Sequence, residues 1–346
     1  MSIIYTIGSM AFDQARLRLR LDDLGRQVST GQRGETHGVL GQEARAAIDL
    51  RGDVARREAY VRAADAALGR MGATQSVLSR LEEIGNDIAV QAQRARTLGS
   101  TGVAALADAA RVALQEVAAL LNTQHGREYL FAGSDLAQVP VPNAGSIATG
   151  PLATQIAADV ATLTPANAAA VLAATAAAAI APATTPFNTH LEGAALAEPR
   201  RALQLADGDR VSWGVLASQD QSGQVANAWA RELLRGLATL AALTPASATQ
   251  GQGYDDLLAG VAQSLDGAVD GLGEERGVLG AAEKRVEKGR ERHKDVMVTL
   301  RAQIIGIEQV DLAEASASLK QVQIRLQASY ETTSLISQLS LAALLR

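Results

Sequence analysis

The residues of this 346-residue chain best able to hold a metal or move a proton are four histidines, His37, His125, His190 and His293. They stand far apart, with no ligand spacing between any two, so each reads as a solvated or capping side chain. Cysteine is absent, which removes thiolate nucleophiles, disulfides and Cys-type zinc sites together. Gly271, Gly273 and Gly277 have the look of a phosphate loop, but they lie inside a helical pattern with no strand before them. Close helix packing explains them better. Asp207 and Asp209 flank Gly208, a pattern that belongs to turns more than to oxygen-ligated cations. From Glu283 to Lys294 acids and bases alternate, as on a solvated helix face with i,i+4 pairs. No aromatic side chains are interleaved there to stack nucleic-acid bases. The spacings H-E-x-x-H, G-x-S-x-G and G-x-x-x-x-G-K-[ST] do not occur. The reading is of a chain with no catalytic, cofactor-binding or metal residues, and not an enzyme.

Without chemistry to position, the elements themselves carry the information. Hydrophobic residues make up 47% of the chain but aromatics only 3%, so a core must come from Leu, Val, Ile and Ala, which favours helix packed on helix. A net charge of -5, from 32 basic and 37 acidic residues interleaved along the chain, argues against a nucleic-acid or anionic-membrane partner. The longest apolar run, Ala168 to Ala181, stops at Pro182, short of the roughly 20 residues of a membrane helix. The opening MSIIYTIGSM has no Lys or Arg before Arg16 and no long apolar segment after it, so a cleavable secretory signal is not expected.

Proline divides the chain. All eight lie between Pro140 and Pro245, leaving both flanks free to form long helices. Leu136 to Thr189 holds one charged side chain, Asp159, while the flanks are densely charged. Near the start, Leu17, Leu21, Leu24 and Val28 form one stripe of a helix. A second helix is expected from near Glu43 to Thr97 and a third from Val103 to near Gly126, with Tyr129 to Gly133 as a short strand and turn. Toward the end, a helix from about Tyr254 to Arg301 is expected to break around Gly306. The last helix has the cleanest heptad: Leu312, Ala315, Leu319, Val322, Leu326, Ser329, Thr333 and Ile336 alternate by three and four, and Leu339 and Leu344 extend the surface. Such a seam must meet another helix, within the chain or on another subunit, and neither terminal seam is expected to find a complete partner in a lone chain.

In the middle, Pro140 to Pro186 gives no firm periodicity. Arg201 to Ala206 and Arg210 to Ala217, joined by Asp207-Gly208-Asp209, read as a hairpin, because Asp-Gly supplies the positive φ that such turns need. A helix is expected from Ser222, with Val225, Trp229, Leu233, Leu237 and Leu240 on one face. The fold class is therefore mainly α: a long antiparallel coiled coil or bundle formed by both chain ends, with a smaller β-containing outer domain inserted. The division expected is 1–137 (terminal assembly helix about 1–30, long helices about 43–125), 138–220 for the outer domain, and 221–346 (terminal assembly helix about 308–346).

Three segments carry a resemblance. The first is Leu24 to Arg33, LGRQVSTGQR, in which Val28-Ser29-Thr30-Gly31-Gln32-Arg33 follows the first helix. Gly126 to Asp135, GREYLFAGSD, contains Gly126, Arg127, Glu128, Tyr129, Leu130, Phe131, Ala132 and Gly133. Ile307 to Leu345 includes IEQVDLAEA and LQASYETTSLISQLSL. Together they resemble the flagellin family, more closely its hook-associated subunits of the hook–filament junction; ordinary flagellins usually lack the second segment. The Asp-rich stretch usual after the first is replaced here by Gly34 to Gln42. The resemblance implies a structural part of the bacterial flagellum, secreted unfolded through the flagellar type III apparatus and located outside the cell. Its implied partners are further copies of itself in a ring or helical assembly, the other hook-associated junction protein, flagellin and an export chaperone, with no cofactor, nucleic acid or membrane insertion. A short flagellin that polymerises into the filament is the alternative within the family, and a helical scaffold with no flagellar role the alternative outside it.

Overall fold

The computed structural model describes residues 2–34 and 37–344, with the side chains of 2–10, 37, 39, 100, 337 and 339–344, His37 among them, outside that description. Helices α1 (Ser2–Thr30), α2 (Glu43–Leu98) and α3 (Ser100–Leu121) are followed by strands β1 (Gln124–His125) and β2 (Glu128–Tyr129). Then come α4 (Pro151–Ala161), α5 (Ala168–Ile180), α6 (Ala194–Ala197), β3 (Ala202–Ala206) and β4 (Asp209–Ser212). The chain closes with α7 (Trp229–Ala241), α8 (Pro245–Ala248), α9 (Gln252–Glu308) and α10 (Leu312–Leu344). Long helices and two small two-stranded sheets make the fold mainly α, as the composition and proline placement predict. Two compact units divide the chain: Met1–Ala59 with Arg292–Arg346, and Tyr60–Glu291.

In the unit Tyr60–Glu291, α2 and α9 run antiparallel. Asp65 pairs with Arg290 at 3.1 Å, Gln75 Nε2 donates to the Arg276 carbonyl at 2.9 Å, and Glu82 pairs with Arg276. Burial follows the expected stripes: Met71, Leu78 and Leu81 on α2, and Leu114, Val117 and Leu121 on α3, are all fully buried. α7 crosses this core with Trp229, Leu233, Leu234 and Leu237 inward, packing on α3, α4 and α5. The alanine-rich tract is a helical hairpin, α4 and α5. Its apolar residues Leu152, Ile156, Val160 and Val171 are buried, which is where a segment with so few charges gains most. The fully buried Arg231 is satisfied on every side. Its Nη2 pairs with Glu192 at 2.6 Å, Nη1 donates to the Ala179 carbonyl at 2.9 Å, and its carbon lies over Phe187 at 5.1 Å.

Several boundaries differ from expectation. α3 ends at Leu121, five residues before Gly126, because Gln124–His125 turns back to pair with Glu128–Tyr129. β4 stops at Ser212, since Trp213 and Gly214 bend to donate their amides to the Arg201 carbonyl. Gly208 does take positive φ, +80°, in the β3–β4 turn. The helix expected from Ser222 begins at Trp229, because Asp220 accepts from Gln224 N and Ser222 Oγ and holds that stretch in a loop. Gly306 does not break α9, which runs to Glu308; the break falls at residues 309–311.

In the unit Met1–Ala59 with Arg292–Arg346, the ends of α2 and α9 are tied by Arg51–Glu308 and Glu58–Arg301, both at 2.7 Å. There α1 packs along α10 as an antiparallel pair.

Candidate assembly interface

The α1–α10 pair is fixed at one end by backbone. α1 terminates at Gly31, whose φ of +71° reverses the chain at low cost. Gln32 then bridges to Gln309, Arg33 N donates to the Glu308 carbonyl at 2.8 Å, and Val310 N donates to the Gly31 carbonyl at 3.0 Å. Thr30 Oγ1 bonds back to the Arg26 carbonyl at 2.8 Å and accepts from Gln32 N at 3.2 Å. The end of α1 and Gly31 to Arg33, which together make up LGRQVSTGQR, thus set the register of the two helices. On the other strand of the crossing, Asp311 caps α10 by accepting from Ala313 N and Glu314 N at 2.8 and 3.3 Å.

From that anchor the heptad closes on α1. Val322 and Leu326 are buried at 7% and 8% exposure, Ala315 at 3%, and Leu319 and Ile336 are half-buried. Leu17, Leu21, Leu24 and Val28 are half-buried on α1. Each terminal seam therefore takes the other as partner within the chain, covering Ala315, Val322 and Leu326 and leaving Leu17, Leu21, Leu24, Val28, Leu319 and Ile336 half-buried. The two polar heptad positions have their own partner. Gln14 Nε2 donates to Thr333 Oγ1 at 2.8 Å and to the Ser329 carbonyl at 3.3 Å, so polar residues meet a polar residue. Beside them Arg18 lies over the Tyr330 ring at 5.3 Å and donates to its hydroxyl. Leu312 is 52% exposed and stays outside the seam, because the capping turn at Asp311 faces it outward. The side chains of Leu339 and Leu344 lie outside the described residues.

A second apolar stripe went unnoticed in the sequence. Phe12 and Leu19 on α1, and Ile324 and Leu335 on α10, are 81%, 72%, 59% and 59% exposed. Their spacings of seven and eleven each return to one helix face, and that is the signal that finds them. Each helix of the pair turns one stripe inward and leaves large apolar side chains exposed.

GREYLFAGSD sits in the unit Tyr60–Glu291. Leu130, Phe131 and Ala132 are buried, and Phe131 meets Trp229 edge-on with ring centroids 6.0 Å apart. Ala132 bridges to Leu216, and Tyr129 N donates to the Leu136 carbonyl at 2.9 Å. Glu128 Oε2 accepts from Arg70 and Arg201, each at 2.8 Å. Arg127 is exposed. The segment plugs the end of α3 into the core and binds the β3–β4 hairpin to α2.

Of the residues first weighed for chemistry, Asp207 accepts from the Tyr60 hydroxyl at 2.7 Å and Asp209 pairs with Arg285. His293 Nδ1 lies 3.2 Å from Arg57 Nη1, and His190 Nε2 lies 3.1 Å from Ser134 Oγ. Among the described residues no three His, Asp or Glu side chains converge as metal ligands. No described helix is long and apolar enough to cross a membrane.

Residues 262–345, which hold most of α9 and the whole of α10, match the family model of the bacterial flagellin C-terminal helical region. The match supports the flagellin family. No curated protein matches the chain. The flagellin family is structural and non-enzymatic, it self-assembles into a flagellar polymer, and it is exported by the type III route to the cell exterior, so the match supports a flagellar structural subunit.

Proposed function

We propose that this chain joins the flagellar hook to the filament, its terminal helices packing against those of neighbouring copies. The observation that carries this reading is the pairing of two seams on α1 and α10. One, with Val322 and Leu326, is closed inside the chain, and the other, with Phe12, Leu19, Ile324 and Leu335, is left at the surface. Four large apolar side chains on a solvated helix pair forgo roughly 1.5 to 3 kcal/mol each unless covered, and a further copy of the same helix pair covers them. On this reading Leu17, Leu21, Leu24, Val28, Leu319, Val322, Leu326 and Ile336 shape the pair, and the outer stripe meets the neighbours. The junction role, as against the filament itself, is supported by the resemblance of GREYLFAGSD to hook-associated subunits. The partners are then the other hook-associated protein on one side, flagellin on the other, and a chaperone that holds α10 before export.

Deleting the gene tests the assignment. Completed hooks with flagellin shed into the medium are expected. Cells lacking the filament protein itself would instead make this chain a flagellin, the reading that the family match alone permits equally.

A further inference from the structure

In the unit Tyr60–Glu291 the residue that distinguishes GREYLFAGSD chemically, Glu128, is also part of a cavity. About 430 Å³ in volume, this cavity is walled by Ala63, Ala66 and Ala67 of α2, by Leu203 of β3 and by Trp213. Its polar lining is Arg70, Arg201, Glu128 and His125. The volume falls in the range of small-molecule sites, and an apolar wall with a few converging polar groups is their usual composition.

The charges in it do not balance. Two guanidinium groups share one carboxylate oxygen, Glu128 Oε2, at 2.8 Å each. Arg70, with a side chain only 5% exposed, donates Nη2 to the Tyr129 carbonyl as well. Burial and the neighbouring Arg201 push its pKa down, against the pull of Glu128. Arg201 is different: its side chain is 36% exposed, its guanidinium carbon lies over the Trp213 ring at 5.3 Å, and it gives only Nη1 to Glu128. Its Nε and Nη2 have no partner among the described residues. Within this lining one positive charge is therefore uncompensated, on a planar fork that lies beside an aromatic ring.

We infer that this cavity binds a small organic monoanion whose carboxylate is received by the free edge of Arg201 and whose carbon body lies against Trp213, Leu203 and the α2 alanines. A carboxylate matches the guanidinium edge in plane and in spacing. A single negative charge completes the balance of two arginines against Glu128, whereas a phosphate dianion would overshoot it beside a carboxylate already in place. The five apolar wall residues give a carbon chain what an inorganic ion lacks.

The experiment uses the full chain and butyrate as the probe, read by tryptophan fluorescence with Trp213→Phe as the blank. A saturable change absent from sodium chloride at equal ionic strength is expected, with half-saturation near millimolar, about what an anion of roughly six heavy atoms reaches. Arg201→Gln should weaken binding about tenfold or more, and Arg201→Lys should recover only part of it, since the fork is lost while the charge stays. Glu128→Gln should tighten binding several-fold by removing the internal competitor. Thermal unfolding of each variant confirms that it is folded. A response that sodium chloride reproduces, or one unchanged by Arg201→Gln in a folded protein, would overturn the site. Equal binding of inorganic phosphate would overturn the carboxylate class.

Discussion

Replacing Leu326 by Asp tests the closed seam most sharply. Leu326 is 8% exposed, in the heptad between Val322 and the polar positions Ser329 and Thr333. Truncating a buried leucine costs about 2 to 5 kcal/mol, with the lower end fitting a two-helix seam that can partly collapse. A carboxylate adds a desolvation cost of at least about 1 kcal/mol, because the neighbouring seam positions of α10, Leu319 and Val322, carry no side-chain donor. Roughly 3 kcal/mol or more is then lost from a helix pair whose well-buried seam residues, among those described, are Ala315, Val322 and Leu326. Such a loss is enough to separate α1 from α10 for much of the time. The core of the unit Tyr60–Glu291 contains none of these residues and should be untouched. Hydrogen exchange read by mass spectrometry should show at least tenfold faster exchange in peptides of α1 and α10, and unchanged exchange in α3 and α7. Cells carrying the variant should not complete functional flagella. Native protection in α1 and α10, or normal motility, would refute the seam as the element that assembly depends on.

Three other perturbations follow from the second unit. Burial raises the pKa of Glu275, which is 1% exposed, with opposing help from Arg200 and Gln221. The folded protein therefore holds its proton more tightly than the unfolded chain, and stability should fall as pH rises from about the ordinary value of 4.5 through the raised one. Thermal unfolding across pH should show that Glu275→Gln removes this slope. Glu128 has the opposite sign: its hydrogen bond from Arg201 holds its pKa down, so its contribution is present above the ordinary carboxylate value and lost as pH falls through the lowered one. Glu128→Gln should cost about 1 kcal/mol at neutral pH, a figure kept small by its exposure, and nothing in strong acid, as read from denaturant midpoints. At Gly253, an added Cβ would meet the Thr164 carbonyl and lie 3.0 Å from Pro165 Cα, both backbone atoms. Gly253→Ala should lower stability by about 1 to 3 kcal/mol, measured as a fall in Tm.

How far the sequence reaches depends on which physical signal a segment carries. The long helices were legible because a stripe sustained from Val61 to Ile88, about seven turns, is hard to produce by accident, and because proline was confined to the middle. Glu43–Leu98 was placed to within one residue at its end. Gly306 misled because one glycine costs a long helix only about 1 kcal/mol, which α9 absorbs; the Gln32–Gln309 bridge and the Asp311 cap decide the break, and a bridge to a residue far away in sequence leaves no local trace. The same reasoning explains Ser222. Its apolar spacing fits a helix, but Asp220 offers the backbone a competing hydrogen bond.

The seam residues were legible for the same reason as the helices, yet what they pair with was not. Periodicity states that a stripe must be covered and is silent about the cover. Only the register set by Gly31 and Gln32, with Gln14 answering Ser329 and Thr333, turns two stripes into one antiparallel pair. That pairing gives the outer stripe its meaning. Had Leu17 to Val28 been waiting for another subunit, Phe12 and Leu19 would be scattered surface residues of the ordinary kind. With the inner seam turned inside the chain, they are large apolar side chains left exposed among the described residues of α1, as Ile324 and Leu335 are on α10. Assembly should therefore be more sensitive to Phe12→Asp or Leu335→Asp than monomer stability is, while Leu326→Asp should impair both. Sedimentation of purified variants separates the two effects, and an outer-stripe variant that unfolds the helix pair without weakening self-association would reverse the assignment of the seams.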